Sequence, residues 1–328
     1  MSEERYNART AEVHWQWTWQ HAGLLADPVA PHTAAVLGLA EVRRHVIADI
    51  AARFRRARGA ATAGVCAAAH PLLRALAITA GADTIAGADA ASRDDDLAGL
   101  VDAYGADATR WCLLSAPAGD RCAAATAAGI HGAWRFVHRL WRVVNTAAQI
   151  SPPAGATHGG TAARTLRVAA HRTLARVTEN LDTGRPNLAA AGIHGFARTL
   201  QRAVTEACAT ADPDLKNAVG EAAGILVPLF HPMMPHLAEE CWAALGHREL
   251  LAFRSWSVAD GELLMADTVT LPVHVDGRRR AEVAVARDAP TGDIAASVLA
   301  LGAIRRALAG RAPRKVIIVP QRIINVVA

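Results

Sequence analysis

Apolar residues recur at helical spacing along the first sixty positions of the chain. Residues 36–58 carry large apolar side chains at steps of four, and Gly59 is a natural helix end. The side chains at these steps are Val42, Val46, Ile50 and Phe54. Within residues 1–25, Val13, Trp17 and Leu24 follow near-helical spacing. The pattern therefore predicts two amphipathic helices, with Val13 and Trp17 on the apolar face of the first.

The helical period continues over most of the middle of the chain. Residues 60–95, rich in Ala, Gly and Thr, are the exception, and their weak pattern makes them the least readable part of the chain. In the last of these helices, Glu239 and Glu240 are expected in the first turn, where acidic groups suit the helix dipole. The expected helices run from Leu97 to Cys112, Gly129 to Ala148, 161–182, 187–209, 214–230 and from Pro235 to about Leu245.

From residue 268 the apolar period changes to two, which is typical of strands. Alternating residues lead to Asp276-Gly277, a strong hairpin turn, and a second strand returns over 281–285. Two short helices are expected between Pro290 and Ala309, and Lys315–Val319 and Ile323–Val327 supply two closing strands. The sequence therefore predicts a mainly α protein, an α-helical bundle followed by a small C-terminal α+β domain with the order ββααββ.

Composition narrows the class of protein. The 328 residues are 52% hydrophobic and 5% aromatic, and no apolar run reaches the roughly 18–20 residues of a membrane span. The start of the chain is charged and lacks the apolar core of a signal peptide, so we expect a cytoplasmic protein with no membrane partner. Five scattered cysteines without a C-x-x-C pair argue against a disulfide framework and a structural zinc.

The net charge of +5 comes almost entirely from arginine, since Lys216 and Lys315 are the only lysines. Guanidinium groups keep their charge and can donate two hydrogen bonds to one phosphate, so the excess permits a nucleic-acid partner. A solvated face is the simpler explanation for any single basic cluster. One cluster, Arg53, Arg55, Arg56 and Arg58, ends the second helix. The candidate RNA-binding residues are Arg135, Arg139 and Arg142 on one helix face, Arg278, Arg279 and Arg280 at the hairpin, and Arg311, Arg314, Lys315 and Arg322 near the last strands.

Several segments, in order along the chain, resemble bacterial leucyl-tRNA synthetase, a class I aminoacyl-tRNA synthetase. They include the opening RYNARTAEVHWQWTWQHAGLL, the helix EVRRHVIADIAARFRRARG, the pair LVDAYGADATRWCLLSAP and GIHGAWRFVHRLWRVVN, and everything from about 165 to 328. Roughly three-quarters of the chain is matched. The resemblance implies three domains: a truncated remnant of the α/β Rossmann-type catalytic domain over 1–110, a helical anticodon-binding-like bundle over 111–260, and a tRNA-binding α+β unit over 261–328.

The resemblance also implies ATP and Mg²⁺ as cofactors, held at two signatures that this chain lacks. Gly38, Leu39, Ala40 and Glu41 stand where the family has H-x-G-H, so a carboxylate replaces an imidazole that contacts the ATP phosphates. Ala86, Gly87, Ala88, Asp89 and Ala90 occupy the expected window of K-M-S-K-S, whose lysines neutralise the pyrophosphate leaving group. We therefore expect no catalytic residues and no cofactor.

The segment between the two signature positions is also short. The family places several hundred residues there, including the editing domain, whereas this chain has about forty-five. His231, His236 and Glu240 have a spacing that superficially suits a metal, but similar segments are packing elements in the family, so no metal site is expected.

The sequence leaves several functions open. The preferred one is a catalytically inactive, leucyl-tRNA-synthetase-like protein that binds tRNA or another structured RNA through its helical and C-terminal domains. The second is a structural subunit of a larger ribonucleoprotein or synthetase assembly, which docks a protein partner through an apolar patch on residues 1–110. The third is a gene product without a selected role. An active leucine–tRNA ligase is the label that similarity alone gives.

Overall fold

The structure is a computed structural model, and the chain forms two compact units, Met1–Ala259 and Asp260–Ala328. Each unit is described by itself. A division of the first unit near residue 110 stays a prediction. The residues that the structure describes are 6–25, 39–60, 71–78, 97–115, 122–151, 160–265, 268–286, 289–319 and 322–327.

The predicted fold class is confirmed, because the described residues are mostly helical and add one small four-stranded sheet. None of the helices within the described ranges is long and apolar enough to cross a bilayer. A single 3-10 turn, Leu251–Phe253, follows the last helix of the first unit. The helices of the first unit are α1 (Ala8–His21), α2 (Leu39–Ala57), α3 (Pro71–Ala75), α4 (Leu97–Tyr104), α5 (Ala106–Ser115), α6 (Cys122–Ile150), α7 (Thr161–Asp182), α8 (Pro186–Ala209), α9 (Pro213–Phe230) and α10 (Pro235–Ala244).

Helix α1 forms as predicted, but it packs through a different face. Val13 and Trp17 are 69% and 60% exposed, whereas Trp15 and Trp19 are buried. The Trp15 indole N–H donates to Oε2 of Glu240 at 2.7 Å, and its neighbour one turn later donates to Glu239. Helical spacing alone allows either Val13 and Trp17 or Trp15 and Trp19 to face the core. The hydrogen-bond acceptors on α10 decide that Trp15 and Trp19 are buried, so the assignment of Val13 and Trp17 to the packed face is wrong.

Helix α2 agrees closely with its sequence pattern. The four apolar side chains at steps of four are all buried in the core of the first unit. The helix ends before Gly59, whose φ of +79° is a conformation that glycine adopts without strain. The apolar period therefore fixed both the packed face and the end of this helix.

A sharp break at Gly105 divides the single helix predicted from Leu97 to Cys112 into α4 and α5. Gly105 has φ +86°, and a Cβ there would lie 2.7 Å from the Cβ of Ala8. The Glu12 carboxylate accepts a hydrogen bond from the Ala106 N–H at 2.6 Å and so caps α5. Burial raises the pKa of Glu12. The continuous-helix prediction is wrong because α1 approaches the chain at this point.

Helices α6 to α9 form the bundle that the sequence predicts, with bounds close to those expected. Helix α6 extends further, and its core face carries Val137, Leu140 and Val144. Trp256, beyond the bundle, donates from its indole to Oγ1 of Thr178 at 2.9 Å and from its backbone N–H to the Ala57 carbonyl at 2.7 Å. These bonds hold α2, α7 and the segment after α10 together.

A buried ionic network lies at the centre of the first unit. Asp49 on α2 accepts from Arg53 Nε at 2.9 Å and from Arg110 Nη2 at 2.8 Å. The Arg110 guanidinium is fully buried and also donates to three carbonyls, those of Leu76, Pro232 and Met233. One side chain thus joins α2, α5, the end of α3 and the turn between α9 and α10.

The start of α10 is capped from another helix. Asp107 on α5 accepts from the Leu237 N–H at 2.6 Å and lies 3.0 Å from Nδ1 of His236. The first turn of α10 contains no acidic residue, so the expectation that Glu239 and Glu240 lie there is wrong. A carboxylate does satisfy the helix N-terminus, but it comes from α5.

The second unit has the predicted ββααββ order, preceded by α11 (Gly261–Met265). Asp276 and Gly277 both have positive φ, as a two-residue hairpin turn requires. The sheet order is β2-β1-β4-β3, with β1 and β4 parallel and the other pairs antiparallel. Buried residues of the strands and of both following helices form one core. The elements are β1 (Thr268–Val275), β2 (Arg278–Ala286), α12 (Thr291–Ala300), α13 (Gly302–Leu308), β3 (Lys315–Val319) and β4 (Ile323–Val327).

Candidate nucleic-acid interface

The three predicted arginines of α6 lie on the side of the helix away from its core face. Arg135 and Arg142 are exposed, and Arg139 is half-buried. None of the three forms an ion pair with any residue that the structure describes. Spacings of four and three residues place successive arginines about one helical turn apart. The arrangement offers three guanidinium groups to an extended anion.

Helix α8 adds to this surface a cation that the sequence did not single out. Arg198 is exposed on α8, and both it and Arg139 act on the ring of His194. Burial, followed by repulsion from Arg198 and then Arg139, lowers the pKa of His194. The packing of α6 against α8 creates this neighbourhood, and no signal within either segment identifies it.

Four exposed cations meet at one end of the sheet in the second unit. Strand pairing brings together the β1–β2 turn, the end of β4 and the start of β3, since Val275 pairs with both Arg278 and Val326, and Lys315 pairs with Val327. These cations are Arg278, Arg311, Arg314 and Lys315, and we call them the basic sheet end. The Arg311 guanidinium lies 3.6 Å from the carboxylate of Asp276, so one acidic group belongs to the same surface.

The other two arginines of the hairpin run follow Arg278 in β2. The register shifts between Val273 and His274, which leaves Arg280 as an extra residue in β2. A bulge of this kind re-aims the side chains around it. The Arg279 guanidinium pairs with the carboxylate of Glu282. Arg279 and Arg280 are both exposed, and pairing with Glu282 leaves Arg279 less available to a phosphate.

Arg322 does not join the basic sheet end. It precedes β4, whereas Lys315 begins β3, and these two strands run antiparallel with Val319 opposite Ile323. The length of β3 therefore separates Arg322 from Lys315, which is about 13 Å at the usual rise per residue. The sequence placed these residues in one cluster, and the structure puts Arg322 at the opposite end of the sheet.

Three of the positions aligned with the first catalytic signature lie in the first turn of α2. Leu39 and Glu41 are buried, and Ala40 is exposed. A carboxylate in the first turn suits the helix dipole, and none of these three side chains is an imidazole or a cation. Gly38 and the second set, Ala86, Gly87, Ala88, Asp89 and Ala90, lie outside the described residues.

The histidines with apparent metal spacing have separate surroundings. His236 contacts Asp107 and, at 3.2 Å, the side-chain amide of Gln16. His231 is buried, and the Glu240 carboxylate accepts a hydrogen bond from the Trp15 indole. Among the described residues no group of three side chains could hold a metal ion.

The basic cluster at the end of α2 divides between the interior and the surface. Arg53 is buried against Asp49, so its assignment to a solvated basic face is wrong. Arg55 and Arg58 are exposed, and Arg56 is half-buried. The spacing of Asp49 and Arg53, one helical turn, is the signal that predicts such a pair.

Comparisons with known proteins agree with the resemblance read from the sequence. Residues 163–296 match the family model described as the anticodon-binding domain of tRNA ligase. The chain is 46% identical over 235 residues to a leucine–tRNA ligase of Azorhizobium caulinodans. The matched region covers 70% of this chain and 27% of that protein. A leucine–tRNA ligase of Rhodopseudomonas palustris is 48% identical over 231 residues, 70% of this chain and 26% of that protein. The chain thus spans about a quarter of the length of these relatives, and the predicted similarity to leucyl-tRNA synthetase is confirmed.

A solved structure gives a weaker match. It is described as the ternary complex of Agrobacterium radiobacter K84 agnB2 LeuRS-tRNA-LeuAMS, and the likeness has a TM-score of 0.47 at 23% identity. It covers 72% of this chain and 31% of that chain. At this score the likeness supports no conclusion about function.

Proposed function

We propose that this leucyl-tRNA-synthetase-like protein binds tRNA, or another structured RNA, in the cytoplasm and catalyses no aminoacylation. The observation that carries the proposal is the match of residues 163–296 to the anticodon-binding domain of tRNA ligases. The exposed arginines of α6, of α8 and of the basic sheet end support it, because phosphate contacts dominate affinity for RNA. Arginines that contact phosphates favour recognition of an RNA by its shape and its backbone.

The chemistry of the signature positions supports the absence of catalysis. In the family that this chain resembles, imidazole and ammonium groups contact the phosphates of ATP. The first signature position here ends in Glu41, whose carboxylate repels phosphate. The window over residues 86–90 contains no lysine. We therefore propose that ATP and Mg²⁺ are not cofactors of this chain.

The binding proposal is tested by filter binding of the full chain to leucine tRNA and to an unrelated tRNA. Salt is varied from about 50 to 300 mM, since each phosphate contact contributes close to one unit to the slope of log affinity against log salt. We expect similar affinities for both RNAs and a steep slope. The triple variant Arg311→Gln, Arg314→Gln, Lys315→Gln is expected to weaken binding about tenfold or more and to flatten the slope.

A matched control comes from the same unit. Arg305 and Arg306 are exposed on α13 and are not part of the basic sheet end, so their replacement by glutamine removes charge while the four cations of that surface stay in place. The double variant is expected to change affinity about twofold at most. If neither RNA binds at the lowest salt, or if both sets of variants weaken binding equally, the proposal is wrong.

The absence of catalysis has a separate test. Leucine-dependent exchange of pyrophosphate into ATP measures the first half-reaction of a synthetase and needs no RNA. We expect exchange no faster than in a protein-free control. Exchange above that background would refute this part of the proposal and leave RNA binding standing.

One observation favours a second candidate, a protein that docks a partner through its first helix. Val13 and Trp17 are neighbours one turn apart on α1, and both are exposed. Large exposed apolar side chains in adjacent positions are typical of protein contacts. Trp17→Gln is expected to lower the recovery of a partner on the immobilised full chain while RNA binding stays unchanged. Equal recovery of the partner on the natural chain and on the Trp17→Gln variant would rule out this second candidate function.

A further inference from the structure

A small pocket in the first unit lies where α2 ends beside the last turn of α9 and the 3-10 turn. Arg53 and Arg56 of α2 line it, together with His231 and Arg254. Leu251 and Trp256 close the remaining sides. Its enclosed volume is about 20 Å³, which is enough for one oxygen atom or one water molecule. We call it the Arg56 pocket.

The groups around this pocket carry more positive than negative charge. Behind it, Asp49 accepts from both Arg53 and Arg110, so one carboxylate serves two buried guanidinium groups. At its mouth, Arg56 and Arg254 add two more. Glu239 does not line the pocket, but its carboxylate lies 3.9 Å from the His231 ring that does. These four guanidinium groups and two carboxylates together leave an excess of two positive charges. Arg53 and Arg110 are buried, Arg56 is half-buried and Arg254 is exposed. A mouth lined by two guanidinium groups favours an anion.

Glu239 is already occupied by other donors. Its carboxylate accepts hydrogen bonds from the Leu251 N–H at 2.8 Å, the Ala252 N–H at 3.1 Å and the Trp19 indole at 3.3 Å. Burial raises the pKa of Glu239. None of these three donors is an arginine, so the Glu239 oxygens form no hydrogen bond with the guanidinium groups of the pocket.

His231 supplies an unused polar atom at the pocket. Its Nε2 is buried, has no hydrogen-bond partner among the described residues, and lies 3.9 Å from Oε1 of Glu239. Burial, Arg53 and Arg110 lower its pKa to about 3, so the ring is neutral near pH 7 and one ring nitrogen carries a proton. A buried polar nitrogen without a hydrogen-bond partner is costly and rare in a native protein, which points to a ligand.

We propose that the Arg56 pocket binds a phosphate group, one oxygen of which enters the enclosed space beside His231 while the others meet Arg56 and Arg254 at the mouth. Guanidinium groups suit this ligand because their paired N–H donors match two phosphate oxygens. The phosphate is either free in solution or part of an RNA backbone. The proposal does not rest on RNA binding, since inorganic phosphate alone is sufficient to test it.

The test measures thermal unfolding of the full chain by tryptophan fluorescence, in inorganic phosphate and in sodium chloride of equal ionic strength. Phosphate is expected to raise the unfolding temperature more than chloride does, because a ligand that binds the folded state stabilises it. Arg56→Gln and Arg254→Gln are expected to weaken phosphate binding about tenfold each. Equal effects of the two salts on the natural chain would overturn the proposal.

Arg55 provides the matched control. It precedes Arg56, is exposed and does not line the pocket, so Arg55→Gln removes the same charge from the same helix turn. Its phosphate response is expected to equal that of the natural chain. An equal loss in the Arg55 and Arg56 variants would show that net charge, and not the pocket, causes the effect, and would overturn the proposal. Arg254 is exposed, so we expect the Arg254→Gln variant to fold. It keeps the test decisive if the Arg56→Gln variant fails to fold.

The source of the phosphate is distinguished with RNA. If an RNA phosphate occupies the pocket, inorganic phosphate competes with tRNA, and Arg56→Gln weakens tRNA binding while Arg55→Gln does not. If the ligand is a free phosphate, Arg56→Gln abolishes the thermal response and leaves tRNA affinity unchanged. Both outcomes support a phosphate site. A failure of tRNA to bind any variant counts against the proposed function alone.

Discussion

Replacing Arg110 with methionine removes the side chain that joins most of the first unit. Methionine is similar in length and apolar, so the change deletes the guanidinium without opening a large cavity. Four acceptors lose a donor: the Asp49 carboxylate and the carbonyls of Leu76, Pro232 and Met233. The side chain is fully buried, and this burial lowers the pKa of Arg110.

The contacts give the size of the effect. Breaking a buried ion pair costs about 3–5 kcal/mol, and because Asp49 keeps Arg53 as a partner, we take the lower end of that range. The three carbonyls, left without this donor, add about 1 kcal/mol each in the absence of compensating water. Arg110→Met is therefore expected to lower the free energy of unfolding by about 4–6 kcal/mol, a large part of the roughly 5–15 kcal/mol typical of a folded domain.

Urea unfolding followed by tryptophan fluorescence measures this loss. All eight tryptophans lie within residues 1–259, so the signal reports the first unit even in the full chain. Arg202→Met is the control, because Arg202 is exposed on α8 and its replacement is expected to change stability by less than about 0.5 kcal/mol. A loss below about 1.5 kcal/mol for Arg110→Met would refute the conclusion that this network holds the unit together.

Further substitutions test other parts of the first unit. Gly105→Ala places a Cβ against α1 at a positive φ, and it is expected to lower the free energy of unfolding by about 2–4 kcal/mol. Gly184→Ala, at φ +67° with open space around it, should lower the free energy of unfolding by about 1 kcal/mol. Equal losses of the two variants in urea unfolding would contradict the close approach of α1 to Gly105. Burial lowers the pKa of His231 to about 3 in the folded chain, whereas the usual value is 6.5, so below pH 6.5 the unfolded chain binds one more proton than the folded chain. The free energy of unfolding should therefore fall as pH decreases from about 6.5, by at most ~1.4 kcal/mol per pH unit. His231→Gln should flatten this dependence in urea titrations between about pH 4 and 7, and an unchanged slope would show that other groups cause it. Asp107→Asn, which weakens the cap on α10, should lower the free energy of unfolding by about 1–2 kcal/mol, and a neutral result would argue against the cap.

The regular parts of the fold were predictable because their signals are local. The step of four apolar residues in α2, Gly59 after it, and Asp276-Gly277 between alternating strands each depend on neighbours in the chain. Backbone hydrogen bonding makes such patterns cooperative within one element. The same local signals identified the three arginines of α6 as one face, since positions four and three apart lie together on any helix.

Errors arose where a distant segment decided the outcome. The buried face of α1 depends on the carboxylates of Glu239 and Glu240, more than two hundred residues away along the chain. Gly105 interrupts a helical pattern because α1 passes within contact distance. Arg322 leaves the basic sheet end because β3 and β4 run antiparallel. No periodicity within a single segment contains this information.

The helical bundle, the ββααββ unit, the similarity to leucine–tRNA ligases and the excess of arginine over lysine all followed from the amino-acid sequence alone. Which arginines face solvent and which become part of the interior depends on contacts that form when the chain folds. Arg53 and Arg55 are two residues apart on one helix, yet Arg53 is buried against Asp49 and Arg55 is exposed. The physical reason is that the free energy of a charged group depends on the solvent and counter-charges that folding places around it, and these come from segments far away in the chain.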